Sequence, residues 1–169
     1  MITVSPFHAV PGLVDRGGIS HVVSLLGPGT PHVTLERLRH GCHLKLSFDD
    51  VCEPHDGCTV PCREHLEEII EFAGSWDRSG GMLIHCWAGV SRSTAAAYAT
   101  MCALHPDEDE AELAWELRRI SPTATPNRLM VAFADDILGR RGRMRAAVEA
   151  IGRGVDAYEG IIFSWPLPR

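Results

Sequence analysis

Cys86, Arg92 and the five residues between them are the part of this 169-residue chain best equipped for chemistry. The run is His85-Cys86-Trp87-Ala88-Gly89-Val90-Ser91-Arg92-Ser93-Thr94. A cysteine attacks as its thiolate, and nearby positive charge or a helix N-terminus favours that form. The planar fork of Arg92 can grip two oxygens of a phosphoryl group. Gly89 permits backbone conformations that a side chain would hinder. A tight turn can then aim successive N–H groups of Trp87, Ala88, Gly89, Val90 and Ser91 inward as an anion nest. Thiolate, cradle and guanidinium on one loop are the parts for attack on a phosphate monoester.

Such a loop needs a rigid strand before it and a helix after it. Met82 to His85 is a short apolar strand, and the alanine-rich run from Arg92 to Leu104 is helical. In open α/β sheets, the crevice at the carboxyl end of a strand is where ligands bind. Two further strands are expected: the β-branched run Ile19 to Leu26, and His43 to Phe48 with Leu44, Leu46 and Phe48 on one face. Asp49 to Val60 is a polar loop. Helices follow over Pro61 to Trp76, Asp107 to Ile120, Pro126 to Leu138 and Arg143 to Ile151, with an extended tail from Val155 to Arg169 packing back. This order predicts one domain, residues 1–169, of α/β class: three layers, a mainly parallel central sheet flanked by helices.

Composition narrows the function. The net charge of −6 and pI near 5.8 argue against a nucleic-acid partner, which demands a basic face. No apolar stretch approaches the length of a membrane span, so no membrane partner is expected. The first ten residues lack the basic flank of a secretory signal, and the six cysteines then read as thiols of a cytoplasmic protein. The basic residues are 15 arginines and one lysine, Lys45.

The run from His85 to Thr94 resembles the signature of the cysteine-dependent protein tyrosine phosphatases: His-Cys, five residues, then Arg and Ser or Thr. Its Gly-x-Ser-Arg-Ser ending resembles the dual-specificity branch, and the likeness extends over roughly Ile19 to Leu138. The resemblance implies a protein tyrosine phosphatase-like fold and a phosphocysteine intermediate. It implies that Cys86 is the nucleophile, that Arg92 binds phosphate, that the Ser93 hydroxyl helps the thiolate leave, and that His85 shapes the loop. Pro126-Asn127 resembles an element that opens a late helix and braces the loop. Thr94 stands where the tyrosine-specific enzymes usually carry glycine, and no segment resembles their phosphotyrosine-recognition loop.

The resemblance also implies a general acid some 30 to 40 residues before the nucleophile. Asp50, 36 residues before Cys86, fits best; Asp49 and Asp56 are the alternatives. Around it lie Cys52, His55, Cys58 and Cys62, whose spacing loosely matches zinc ligands but lacks a second ligand pair. No metal or cofactor is expected, and Cys52 is the candidate for a protective disulfide with Cys86. Arg140, Arg141, Arg143 and Arg145 read as a solvated basic cluster, with a docking surface for an acidic partner as the alternative.

The expected substrate is a phosphorylated protein or a small phosphoester, with phosphate or sulfate able to occupy the site. Trp87, Ala88 and Val90 bring no cation to the loop, which favours a single phosphoryl group over a polyphosphate. Trp87 either offers a wall to an aromatic substrate or packs beneath the loop. The competing classes are a non-catalytic phosphate-binding pseudo-phosphatase, a phosphatase of small-molecule or lipid phosphates, and sulfur transfer or arsenate reduction on a similar loop.

Overall fold

The computed structural model describes residues 1–39 and 42–168. Five strands form one sheet: β1 (Ile2–Pro6), β2 (Ile19–Leu26), β3 (His43–Ser47), β4 (Gly81–Cys86) and β5 (Phe163–Trp165), in the order β3-β2-β4-β1-β5. β4 is central and parallel to both neighbours, with Met82 opposite Ile2 and Leu83 opposite Val22. β3 is parallel to β2, and β5 runs antiparallel to β1 at the edge. The expected mainly parallel sheet is present, with one antiparallel pair. β1 was not among the expected strands, and β5 is the part of the tail that packs back.

Among the described residues six α-helices accompany the sheet: α1 (Val10–Asp15), α2 (Arg63–Ser75), α3 (Arg92–Leu104), α4 (Glu110–Ile120), α5 (Arg128–Ile137) and α6 (Arg143–Ile151). The strand pleat divides their cover. Ile2, Val4, Val23, Leu25, Met82 and Ile84 face the main core, which α2 to α6 complete. Val22 and Leu83 face the other way, onto Val10 and Val14 of α1 with Leu13, Leu35 and Leu38. The layers are therefore unequal, with five helices on one face and one short helix plus a loop on the other.

α3 is buried from Arg92 to Cys102 all the way round. Its alanines let it lie close to the sheet while α2, α4 and α5 close over it. Helix starts are set by caps rather than by the first periodic residue. Asp109 accepts from Ala111 N–H at 2.8 Å and Glu112 N–H at 3.0 Å, so α4 begins after Asp107 and Glu108. Cys62 and His65 cap α2 in the same reciprocal way, leaving Pro61 outside.

The basic cluster is solvated only in part: Arg141, Arg143 and Arg145 are exposed, as expected, and Arg140 is not. Arg140 is buried and donates to the Pro106 carbonyl at 2.8 Å, the Cys102 carbonyl at 2.6 Å and Glu110 Oε1 at 3.0 Å. Arg143 reaches the same carboxylate at 2.9 Å, and Arg145 pairs with Asp136. Glu110, itself buried, fixes the α5–α6 corner to α4, which uses these charges internally and removes the docking reading for Arg140 and Arg143. Bonds from Arg143, with both guanidinium charges, hold the Glu110 carboxyl below its ordinary pKa. Its ionised form therefore stabilises the fold above the unfolded-state pKa, and that share is lost as pH falls through the lowered folded value. Glu110→Ala leaves buried Arg140 without its counter-charge and should cost about 3 kcal/mol or more. Thermal unfolding at neutral pH checks the loss, and the gap from wild type should narrow in acid.

Candidate active site

The site forms where β4 stops and α3 starts, and the carbonyls of Trp87, Ala88, Val90 and Ser91 in the intervening turn are all occupied. Phe7 N–H, just past β1, donates to the Trp87 carbonyl at 3.0 Å. Gly160 N–H, from the tail, donates to the Ala88 carbonyl at 2.8 Å. Thr125 N–H and the Thr94 hydroxyl both bond the Val90 carbonyl, at 2.9 and 2.6 Å. Ser91 O receives Ala95 N–H at 2.9 Å and the Thr94 hydroxyl at 2.9 Å. With its carbonyls held outside, the turn presents its N–H groups inward; among the described residues those of Trp87, Ala88, Val90 and Ser91 have no protein acceptor. Ser91 opens α3 without capping it by side chain, so the first helical N–H groups also face the cradle.

Gly89 is required twice over. Its φ is +72°, in the left-handed region, and a Cβ there would sit 2.8 Å from Pro6 N and 2.9 Å from Ser5 C. The β1 backbone thus runs directly against the turn.

Cys86 is buried, with Sγ 3.2 Å from Ser93 Oγ and accepting from Gly89 N–H at 3.2 Å. Arg92 is buried and donates through Nη1 to the Phe48 carbonyl at 2.6 Å. Its Nε is buried and without a hydrogen-bond partner among the described residues. That donor fits an anion in the cradle.

Asp50 lies at the mouth, with Oδ2 3.9 Å from Arg92 Nε. Its Oδ1 accepts from the Ser91 hydroxyl at 2.7 Å and from Asn127 Nδ2 at 2.9 Å. Asn127 is buried, also bonds the Val51 carbonyl, and caps α5 through Met130 N–H. Asp49 turns away: its carboxylate accepts from Thr59 N–H at 2.9 Å while its own N–H bonds the Thr59 carbonyl. It closes the loop rather than facing the cradle, and Asp56 is on the exposed part of that loop.

His85 is fully buried on the thinly covered face, its pKa pushed down to about 4 chiefly by burial. It is neutral at physiological pH, consistent with a shaping rather than an acid–base part. Phe7 stacks against it at 5.8 Å and against Trp87 at 5.7 Å. Trp87 does not pack beneath the loop; it lies on Phe7 with half its surface exposed. A cavity of about 340 Å³ opens beside Ser91 and Asn127, lined also by Cys52, Val90 and Val155.

Cys52, His55 and Cys58 are exposed, while Cys62 is engaged with His65 in the α2 cap. Among the described residues no group of three His, Cys, Asp or Glu side chains converges to hold a metal, and all six cysteines are free thiols.

The structure thus brings together Cys86, the turn to Arg92, Ser93, Asp50, His85 and Asn127. Phe7, Thr125 and Gly160 were not expected at the site, nor were Ser24, whose Oγ lies 2.5 Å from His85 Nε2, and His43, whose Nε2 lies 2.7 Å from the same hydroxyl. The first three act through main chain, which leaves no residue-type signal. Ser24 and His43 sit inside strands read only for their apolar alternation. Gly89→Ala should destabilise the fold by more than the roughly 1–2 kcal/mol of a left-handed alanine, because the new methyl group strikes backbone. Gly57→Ala, also at φ +80° but facing open space, supplies the purely conformational cost. Denaturant unfolding of both variants separates the two contributions.

No protein-family model matches the chain. The chain is 29% identical over 123 residues to dual specificity protein phosphatase 15 of Rattus norvegicus, and 28% identical to that of Mus musculus. Each match covers 69% of this chain and 45% of the relative, so the chain spans about half the length of the curated relatives it matches. Among solved structures, DUSP15 superposes with a TM-score of 0.66 at 22% identity, covering 88% of this chain and 90% of that one. The PTP-2 phosphatase of Cydia pomonella gives 0.62 at 22% identity, covering 80% and 84%. The likeness to the solved structures is one of fold.

Proposed function

We propose that this chain, a member of the cysteine-dependent protein tyrosine phosphatase superfamily on its dual-specificity-like side, hydrolyses phosphoesters through a phosphocysteine intermediate. The observation that carries the reading is the orphaned, buried Nε of Arg92 beside an inward row of loop N–H groups, with the Cys86 sulfur at their centre.

The phosphoryl oxygens sit among the N–H groups of residues 87–92 and the Arg92 fork. Cys86 Sγ attacks phosphorus; the S–P bond forms as the ester P–O bond breaks. Asp50 gives its proton to the departing oxygen. It then takes a proton from the water that attacks phosphorus, as the S–P bond breaks and inorganic phosphate forms. The Ser93 hydroxyl, 3.2 Å from sulfur, donates to the departing thiolate. Phosphate or sulfate is the natural occupant of the cradle after turnover, and no metal or cofactor takes part.

The substrate is most consistent with a phosphotyrosine side chain of a protein, with phosphoserine and phosphothreonine as slower substrates. One guanidinium and no loop lysine suit a single phosphoryl group rather than a polyphosphate. The exposed face of Trp87 flanks the cradle and can take an aromatic ring. The free thiols suit a cytoplasmic setting, and no helix among the described residues is long and apolar enough to cross a membrane.

Turnover of phosphopeptides, phosphoinositides and nucleotides tests the reading. Cys86→Ser should abolish hydrolysis while keeping phosphate binding, and Arg92→Ala should weaken both. Asp50→Asn should slow a poor leaving group by about 100-fold or more, an activated aryl phosphate far less, and Asp49→Asn should do little to either. Near-normal turnover by Cys86→Ser would refute the covalent route. A phosphoinositide ranking above every phosphopeptide would refute the substrate class alone.

A further inference from the structure

The cavity beside the turn adjoins the cradle through residues that belong to both. Ser91 presents its N–H to the cradle and gives its hydroxyl to Asp50, and Asn127 donates to the same carboxylate oxygen. Both line the cavity, as does Cys52, two residues past Asp50. A leaving group must pass Asp50 to receive its proton. The chain that carries the leaving group therefore quits the cradle at the edge where the cavity opens.

The far wall is the tail after α6, and it is fastened at both ends. Gly154 N–H donates to Thr125 Oγ1 at 3.1 Å, and Val155 N–H to the Pro122 carbonyl at 2.9 Å. Further on, Gly160 N–H holds the Ala88 carbonyl of the turn at 2.8 Å. A Cβ at Gly154 would stand 2.6 Å from Thr123 C, and one at Gly160 2.6 Å from the Gly89 carbonyl oxygen, so both attachments are backbone laid on backbone. Arg118 joins the start of this wall to the segment before α5, donating to the Gly152 carbonyl at 2.8 Å and the Ala124 carbonyl at 2.6 Å. The pocket is thus preformed, and a ligand entering it has little chain left to order. Val90, Pro126, Val148 and Val155 give it an apolar lining. Of its three charged residues, Arg153 and Asp156 pair with each other at 2.6 Å, and Arg128 is exposed. One remaining guanidinium on an apolar lining is a poor match for the nearly two negative charges of a second phosphoryl group.

We propose that this pocket is a subsite for an aliphatic side chain close in sequence to the phosphorylated residue, so that the substrate is an extended phosphopeptide read at two places, its phosphoryl group and a neighbouring apolar residue. The volume of about 340 Å³ admits a leucine-sized side chain without rearrangement. Successive residues of an extended chain advance by only about 3.3 Å, so a residue one or two positions away is the one that meets a pocket beginning at Ser91. The tail then sets specificity through Val155 and Ala157, which lie on the far wall. This inference rests on the proposed function for what enters the cradle.

The test uses the whole 169-residue chain and phosphotyrosine peptides in which a single leucine is walked along both sides of the phosphotyrosine in a host of alanine and serine. Each kcat/KM is divided by that of a small aryl phosphate on the same protein, which cancels any general change in activity. One leucine position within two residues of the phosphotyrosine should exceed its alanine counterpart by about tenfold, which burial of most of a leucine side chain supplies. The gain should lie mainly in KM, since the subsite binds ground state and transition state alike. Val155→Asp puts a charge on the lining and Ala157→Trp fills the space; both positions are exposed, and each variant should bring the leucine-to-alanine ratio to within about twofold of unity. A flat leucine scan overturns the subsite, as does a ratio that survives both variants. Aspartate or phosphothreonine outranking leucine at the preferred position overturns its apolar character. If the protein turns over no phosphoester, the proposed function fails, and the affinity of the same peptides for Cys86→Ser, read by calorimetry, decides the subsite by the same ratio.

Discussion

The site depends on one constraint: a seven-residue turn must point its N–H groups inward, so its carbonyls need partners outside. A peptide unit cannot direct both ends to the same place. Each inward N–H therefore demands a donor behind the loop for the carbonyl of the same unit, or an exposed carbonyl free to swing. Here the donors come from distant parts of the chain: Phe7 beyond β1, Gly160 in the tail and Thr125 before α5. Segments from both ends of the described residues are in this sense parts of the turn's support. The antiparallel β1–β5 edge keeps the tail beside the turn, and Gly89 lets β1 pass within van der Waals distance of it.

The same logic binds acid to cradle. Ser91 gives its main chain to α3 and its hydroxyl to Asp50. Asn127 donates to Asp50 and Val51 while its own carbonyl oxygen caps α5. Arg92 spans back to the Phe48 carbonyl, two residues before Asp50. The Asp50 loop, the turn and α5 thus close a ring of short polar contacts, and Asp50 is placed by the turn it faces. A carboxylate 3.9 Å from a guanidinium is also kept from wandering into the nest, where it would compete with a phosphoryl group.

What could be seen in the sequence follows how local each feature is. The β4–turn–α3 unit is contiguous, so the juxtaposition of Cys86, Arg92, Ser93 and His85 was legible. Asp50 and Asp49 are adjacent and chemically alike; only the bond from Thr59, ten residues on, turns one of them away. β1 is five residues long at the start of the chain, and its strand character is supplied by β4 and β5 rather than by its own pattern. Arg140 and Arg143 look like members of a solvated patch because their shared counter-charge, Glu110, lies some 30 residues earlier. The unequal helical cover of the two faces was not legible for a related reason: each helix shows an apolar stripe, but the stripe does not say which face of the sheet it meets.

Unequal layers have a consequence for the site. The face covered by five helices is apolar, and it anchors α3, whose N-terminus must stay rigid against an anion. The thin face cannot bury much apolar surface, because only α1 and a loop cover it. It carries instead a line of polar side chains, Ser5, His85, Ser24 and His43, within the strands themselves. In a parallel sheet these groups would be costly unless they bonded one another. The shared Ser24 hydroxyl meets part of that cost, leaving Ser5 Oγ and His85 Nδ1 without a partner among the described residues, and it also ties three strands together immediately below Cys86. Weak packing on that side is thereby replaced by directional bonds, which fix orientation more tightly than apolar contact does. Orientation is what a nucleophile at the end of a strand requires, so the polar chain lies where apolar cover is thinnest and angular control matters most.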